Sequence, residues 1–440
     1  MSRILISEAK RQGSGRATVA GFVRNLRAHK GLVFIDLHDI SNNMQIVFVQ
    51  DQDNNDNNQA YDAACGLTLE SVIEVSGQIQ EKPQKKGAED QPKDYELAAD
   101  SLNITSLAEE NLPIPVLTKA GNEASLDNRL DWRWLDLRPE NHQLIFKIWS
   151  KLEEGMREYF YQQGFTQVYT PCLMSTASET GSEVFEVKYF DNRAFLSQSP
   201  QFYKQMAMAS GLEKTFMVGP VFRAEQSFTT RHVTEFTGWD FEVSYIDSHE
   251  KIMEIEESFL AAAFKKVKED LGLDIEVPSL PFPRLTLAAA KEKLAAAGVK
   301  SEKDYDFSTE EEKVLGEIIK KETGHDFVFV TDYPIEARPF YHMRQENDKK
   351  LTKSFDLIYR GLEITTGSQR EHRLDILKEQ AIEKGMNLEE LKDYLNFFRY
   401  GCPSHGGAGM GPARIVMKLL DLGSVKEACF LPRDVKRLIP

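Results

Sequence analysis

The chain changes its hydrophobic rhythm about a quarter of the way along. Before residue 106, apolar and polar positions alternate in short runs over 17–23, 31–37, 44–49 and 71–77, each of which predicts a strand. Several short strands separated by turn signals predict a small barrel. Within 31–37, Val33, Ile35 and Leu37 share a face and point inward, leaving Leu32, Phe34 and Asp36 outward. A helix-like polar patch lies near Tyr61 to Cys65, and the stretches 50–59 and 84–93 read as polar, low-complexity loops. Pro113, Pro115 and the polar run 119–125 read as a connector. The segment 129–139, with two tryptophans amid alternating charges, predicts a packed, ion-paired docking segment. The expected division is a barrel over 1–106, a linker over 107–139 and a large domain over 140–440.

Helical periodicity then enters, with Ile145, Ile148, Leu152 and Met156 on one face of 142–163. A strand over 165–171 ends at Pro171, and 178–183 is an acidic turn. A helix starts at Pro200 and carries Lys204 within reach of an anion near its start. The runs 216–222 and 239–245 predict a long antiparallel hairpin. Its tip holds Ser227, Thr229, Thr230, Arg231 and His232. Alternation puts Arg223 and Glu225 on one face of the first strand. A fixed guanidinium beside a fixed carboxylate suits a polar anion such as a nucleotide, though a structural ion pair fits as well. Helices are expected over 248–273, 285–297 and 374–384.

Between the last two of these, 354–367 reads as a strand pair bent near Gly361, which brings Asp356 and Glu363 together. Two carboxylates held close need a cation, and hard oxygen ligands suit magnesium bridging phosphates. The glycine-rich run 405–411 precedes an apolar helix, where missing side chains let a ligand approach the backbone. No Gly-Lys-Ser/Thr follows it, so it is not a Walker loop.

Composition narrows the partners. A net charge of -15, from 54 basic and 69 acidic residues, argues against non-specific nucleic-acid binding by the whole chain. A local basic surface survives at the start, where Arg3, Lys10, Arg11, Arg16, Arg24, Arg27 and Lys30 face only Glu8. Set beside an outward Phe34, it favours single-stranded RNA. No apolar run is long enough to span a bilayer, and the start has no signal-peptide pattern. The four cysteines form no metal-ligand spacing and read as free buried thiols in a reducing cytoplasm.

Taken together these stretches resemble class II aminoacyl-tRNA synthetases. Phe222-Arg223-Ala224-Glu225 through Asp240 and Glu242 resembles motif 2. Gly409-Met410-Gly411 through Arg414 and its helix resembles motif 3. The helix and strand up to Pro171 resemble motif 1, the dimer interface. The match is closest to the aspartyl-tRNA synthetases of the archaeal and eukaryotic type, carried by Gln198-Ser199-Pro200-Gln201, Tyr203-Lys204-Gln205, Arg360-Gly361-Leu362-Glu363 and Gln369-Arg370-Glu371-His372. The resemblance implies an α+β fold: an N-terminal OB-fold barrel that binds the anticodon, and a catalytic domain built on an antiparallel sheet flanked by helices. It implies a cytoplasmic homodimer that joins aspartate to tRNA-Asp through an aspartyl-adenylate, with ATP as substrate and Mg2+ as cofactor. By the same resemblance Arg223 grips the ATP α-phosphate and the reacting carboxylate, and Arg414 reaches the γ-phosphate. Glu225, Arg231, His232, Val233, Glu363 and Gly411 help hold ATP. Asp356, Glu363 and Thr366 ligate magnesium. Glu179 and Gln201 bind the amino group and backbone of aspartate, with Thr366 nearby. Lys204 and Arg370 take its side-chain carboxylate. In the barrel Phe34 and Gln45 match positions that stack on and hydrogen-bond the central anticodon uracil, beside Arg24 and Arg27.

Two positions depart from the family pattern. Ala413 stands where an acidic residue usually precedes the motif 3 arginine, which removes a partner for Arg414 and predicts weaker ATP affinity. Arg24 matches neither the tryptophan that accompanies strict tRNA-Asp use nor the histidine that accompanies additional use of tRNA-Asn, so tRNA choice stays open. The competing expectations are an asparaginyl-tRNA synthetase and a catalytically inactive RNA-binding paralogue.

Overall fold

The computed structural model describes residues 2–51, 55–83, 92–117, 122–176, 183–226 and 229–439. Chain contacts divide it into two compact units, 1–128 and 129–440. The first is a closed five-stranded barrel. Its strands are β1 (Gly15–His29), β2 (Leu32–His38), β3 (Asn43–Val49), β4 (Val72–Glu81) and β5 (Tyr95–Ser106), in the order β1-β2-β3-β5-β4. Helices α1 (Ile6–Gln12) and α2 (Asn55–Cys65) accompany it. The expected inward face is the observed one: Val33, Ile35 and Leu37 are fully buried together with Val19, Ile46, Ile73 and Val75. α2 begins at Asn55, so part of the expected 50–59 loop is helical. The sequence reading had no fifth strand. β5 lacks clean alternation, and its pairing with β4 on one side and β3 on the other makes it a strand.

The second unit is built on an eight-stranded sheet. Its strands are β6 (Thr166–Gln167), β10 (Lys214–Phe222), β11 (Glu235–Ser244), β12 (Arg284–Thr286), β13 (Phe327–Thr331), β14 (Ser354–Tyr359), β15 (Leu362–Arg370) and β16 (His405–Met410). They run in the order β12-β13-β14-β15-β16-β11-β10-β6, antiparallel except at the two ends. A small second sheet holds β7 (Leu173–Met174), β8 (Glu186–Tyr189) and β9 (Asn192–Leu196). Two short helices, α3 (Leu126–Asp131) and α4 (Arg133–Asp136), lead in. Then come α5 (Glu140–Gln162), α6 (Gln201–Ala209), α7 (Glu250–Leu271), α8 (Leu287–Ala296), α9 (Thr309–Thr323), α10 (Leu374–Glu383), α11 (Lys392–Arg399) and α12 (Pro412–Leu419). Ile145, Ile148, Leu152 and Met156 of α5 are buried as their spacing predicts. α5 and α7 cover one face of the sheet, where Phe160 packs on Phe216, Phe241 and Phe259 at ring-centroid distances of 5.0, 5.6 and 5.1 Å. On the opposite face α8 and α9 cover the β13–β14 end, where Val328, Val330 and Ile358 pack on Leu287 and Leu315, and polar side chains line the part near β11 and β16.

Several expectations need correction. The strand over 165–171 shrinks to Thr166–Gln167 at the sheet edge. The tryptophans of segment 129–139 do not pack into a core: Trp132 and Trp134 are exposed and meet only edge to face, 5.3 Å apart, and the arginines beside them are buried. Arg129 and Arg133 lie 2.7 and 2.5 Å from Asp136, and Arg133 also donates to the carbonyls of Glu427, Cys429 and Phe430. Guanidinium groups with this many acceptors are satisfied inside a protein. The cysteines are free thiols, but Cys65 is exposed and the other three are only partly buried.

Candidate active site

The site rests on strand register. In β11 the acids Asp240 and Glu242 alternate with Trp239, Phe241 and Val243, so the apolar set faces α5 and α7 and the acids face the other way. Across the sheet Asp240 pairs with Gly409, Gly409 with Thr366, and Thr366 with Asp356. The next row of the same face runs Glu242, Gly407, Ser368, Ser354. The glycines that sequence reading placed before a helix are therefore strand residues at the centre of these rows. A Cβ on Gly409 would lie 2.8 Å from Asp240 Oδ1, and one on Gly407 2.2 Å from Glu242 Oε2. They make room for carboxylates of this chain.

A cavity of about 380 Å³ lies over this face. It is lined by Gln201, Lys204, Arg223, Glu225, Arg231, His232, Val233, Glu363, Thr366, Arg370, Gly411 and Arg414. Gln201 and Arg414, 213 positions apart in sequence, are thus brought to one place with the rest by β10, β11, β15, α6 and the start of α12. Asp356 lies behind the wall, and Glu179 lies outside the described residues.

At one end the two expected cations sit on the two strand acids. Lys204 Nζ is 2.8 Å from Asp240 and 3.5 Å from Glu242, and donates to the Ala408 carbonyl at 3.2 Å. Arg370 donates to both oxygens of Glu242 at 3.0 and 3.4 Å, to Ser368 Oγ and to the Gly407 carbonyl. All four charged groups are buried. Burial opposes ionisation of Glu242, but Arg370 and Lys204 overcome it and hold its carboxyl below the usual range. The picture of two bare cations awaiting a substrate is corrected: the pair is already balanced by two anions, because uncompensated buried charge is too costly. Arg370 Nη1 also meets His342 Nε2 at 3.2 Å. Burial, with Arg370, Arg338 and Lys204 nearby, keeps this histidine neutral, well below its ordinary pKa. The arginine can only donate, so His342 accepts at Nε2, and its buried Nδ1 has no partner. Gln201 Nε2 is likewise buried and unpartnered.

At the other end are the groups expected around a nucleotide. The ladder of β10 stops at Phe222, so Arg223 and Glu225 are not strand neighbours, yet they still lie 4.0 Å apart. Arg223 spreads over the Phe236 ring. Arg414 Nη1 donates to the Glu363 carbonyl at 2.7 Å and is 4.0 Å from its carboxylate. Glu363 thus partners the arginine that Ala413, buried and apolar, cannot. His232 lies 3.8 Å from Glu225. Burial and then Arg414 lower its pKa, so the imidazole is neutral.

A bulge in the β14–β15 ladder between Leu357 and Ile358 shifts the register. It turns Glu363 onto the same face as Thr366. Thr366 Oγ1 lies 2.8 Å from Asp356 Oδ1 and 3.2 Å from Glu363 Oε1. Two carboxylates joined by a hydroxyl form an all-oxygen set of the kind that suits a hard divalent cation. Burial raises the Asp356 pKa, and Arg338 at 2.8 Å offsets part of that.

In the barrel, Arg27 pairs with Phe34 across β1 and β2, and Gln45 pairs with Asp36 next to it. Arg24 does not join that face. It sits at a bulge between Val23 and Asn25, which turns it inward, 7% exposed and 2.5 Å from Glu70. Gln45 Nε2 donates to Glu96 at 2.6 Å.

Residues 125–435 match the family described as class II tRNA synthetases (D, K and N), and residues 17–105 match the OB-fold nucleic acid binding domain family. The chain is a class II tRNA synthetase. Members of this class use ATP as a substrate. The synthetase is 41% identical over 435 residues to the aspartate–tRNA(Asp/Asn) ligase of Aeropyrum pernix, covering 97% of this chain and 96% of that one. It is 40% identical over 432 residues to the aspartate–tRNA(Asp) ligase of Pyrococcus abyssi, with the same coverage. Among solved structures, asparaginyl-tRNA synthetase from Pyrococcus horikoshii with asparaginyl-adenylate superposes with a TM-score of 0.89 at 29% identity, each chain fully covered. A putative aspartyl-tRNA synthetase from Leishmania major Friedlin gives 0.88 at 27% identity, covering all of this chain and 95% of that one. No helix among the described residues is long and apolar enough to cross a membrane. In this synthetase the roles of Asp240, Glu242, His342 and Arg338 as partners within the site were missed by sequence reading. Asp240 and Glu242 entered it only as the end of the stretch that resembles motif 2, with no partner assigned to either.

Proposed function

We propose that this synthetase joins L-aspartate to tRNA-Asp through an aspartyl-adenylate. The observation that carries this reading is the buried quartet Lys204–Asp240–Glu242–Arg370 at one end of the cavity. A site with two fixed cations recognises a carboxylate side chain better than a carboxamide, whose NH2 would face donors. Arg223 and Arg414 sit beyond it, where the triphosphate of ATP would lie. A carboxylate oxygen of aspartate attacks the α-phosphorus, the bond to the bridging oxygen breaks, and pyrophosphate leaves. The 3′-hydroxyl of tRNA then attacks the acyl carbon and AMP leaves. Arg223 neutralises charge on the α-phosphate and the attacking carboxylate, and Gln201 orients the amino acid. Asp356, Glu363 and Thr366 would hold Mg2+, which supplies charge neutralisation to the phosphates when bound.

The fold alone does not separate aspartate from asparagine, since asparaginyl enzymes share it. In this reading the cations Lys204 and Arg370 favour the charged side chain. Arg27, Phe34 and Gln45 form the proposed anticodon face. A second copy of this chain is proposed against α5, where a groove of about 900 Å³ carries Phe146, Trp149, Phe236 and an exposed Phe430. Free thiols fit a cytoplasmic setting. Charging assays with labelled aspartate on purified tRNA-Asp and tRNA-Asn test the reading. Aspartyl-tRNA-Asp is the expected product, and the second tRNA reads out whether specificity is relaxed. No product from either tRNA contradicts it.

A further inference from the structure

Helix α9 was not expected from sequence, and its first turn reaches the site. Ser308 and Glu311 close a capping box that fixes where the helix starts. Thr309 and Glu312 are then neighbours on one face. The helix lies against the β14–β15 turn where two glycines meet. A Cβ on Gly316 would fall 2.5 Å from the Gly361 nitrogen, and one on Gly361 2.7 Å from the Lys313 Cα. This close approach delivers the Glu312 carboxylate to the backbone of β15, where it accepts the Glu363 N–H at 2.9 Å. The same carboxylate takes Arg231 Nη2 at 2.8 and 2.7 Å, while Arg231 Nη1 donates to Thr309 Oγ1 at 2.6 Å. Arg231 Nε is buried and has no partner, and Arg231 lines the cavity.

We propose that Glu312 is a positioning residue for ATP, clamping the Arg231 guanidinium at the cavity wall where the phosphates would lie. One carboxylate holds both the cation from the β10–β11 connection and the strand that carries Glu363. Arginine is a long side chain whose freedom must be removed before a phosphate can use it, and anchoring Nη2 on Glu312 and Nη1 on Thr309 removes it in advance. The inference rests on the ATP-activating role proposed above.

The test is aspartate-dependent ATP–pyrophosphate exchange with Glu312→Gln, which keeps an acceptor for Glu363 N–H and removes the charge that holds Arg231. KM for ATP should rise about tenfold, as for other losses of an orienting partner, with KM for aspartate within about twofold of wild type. In an Arg231→Ala background Glu312→Gln should add less than about twofold, because the residues act through one contact. Thr309→Val, an isosteric change at an exposed position, should shift KM for ATP in the same direction and serves if Glu312→Gln does not fold. An unchanged KM for ATP, equal effects with and without Arg231, or tighter ATP binding would each overturn the clamp. The last would mean that Glu312 competes with ATP for the arginine. A wild-type enzyme without aspartate-dependent exchange would instead overturn the proposed function.

Discussion

Lys204→Met separates the charge of the pocket from its shape. Methionine fills much of the same volume on α6 but removes one of two cations from a buried set of two cations and two anions. The set then carries a net negative charge before any substrate arrives. Two unit charges about 4 Å apart at an effective dielectric near 20 interact by about 4 kcal/mol. An incoming aspartate carboxylate loses about that much, roughly three orders of magnitude in kcat/KM. Asparagine carries no side-chain charge and loses little, so discrimination falls toward parity. Breaking a buried ion pair from one side also costs about 3–5 kcal/mol of stability. Asp240→Asn added to Lys204→Met restores neutrality, so it should recover part of the lost stability without recovering aspartate preference. Exchange assays with each amino acid, alongside thermal unfolding of the wild type and both variants, read out both effects. A folded Lys204→Met enzyme with wild-type preference for aspartate would refute the assignment of the pocket.

Other perturbations address the remaining parts. Phe34→Ala should weaken tRNA binding by about 1–3 kcal/mol, the range for one lost base–aromatic stack, and leave pyrophosphate exchange unchanged; equal loss in both assays would make Phe34 a folding residue. Glu363→Gln should impair adenylate formation and shift its magnesium dependence to higher concentrations, whereas full activity at limiting magnesium would remove Glu363 from the metal set. Gly409→Ala puts a methyl 2.8 Å from Asp240 Oδ1 and should raise KM for aspartate; an unchanged value would mean Asp240 does not hold Lys204 in place. Glu256 of α7 is fully buried, and burial, only partly offset by the Thr365 hydroxyl, raises its pKa to about 8. Its folded pKa lies above its unfolded one, so it is protonated at neutral pH and its contribution to stability declines as pH rises from about 4 through 8. Glu256→Gln should therefore flatten the loss of stability on that alkaline side, as read by thermal unfolding across pH; an unchanged slope would show that Glu256 does not titrate there.

Much of this was legible where one period dominates. The inward face of β2 and the buried stripe of α5 follow from spacing alone, because each has one side against a core. The turn at Gly361 was also legible, but its simple register pairs Glu363 with Ile358, and the bulge that brings Glu363 beside Thr366 and Asp356 was not. What could not be read is long-range. β5 is a strand because β3 and β4 need a neighbour. Arg24 is buried because a one-residue bulge reverses its direction. The four-charge quartet joins α6, β11 and β15, and nothing local to Lys204 announces that Asp240 and Glu242 will neutralise it. The glycines of β16 looked like a ligand loop because their true occupants, the carboxylates of β11, lie more than 160 positions earlier in the sequence.

The central claim is that buried cations choose the amino acid. ATP–pyrophosphate exchange by the wild-type synthetase, with aspartate and asparagine compared side by side, tests it most directly. The account predicts rapid exchange with aspartate and a kcat/KM for asparagine lower by orders of magnitude. Equal exchange, or preference for asparagine, would contradict it.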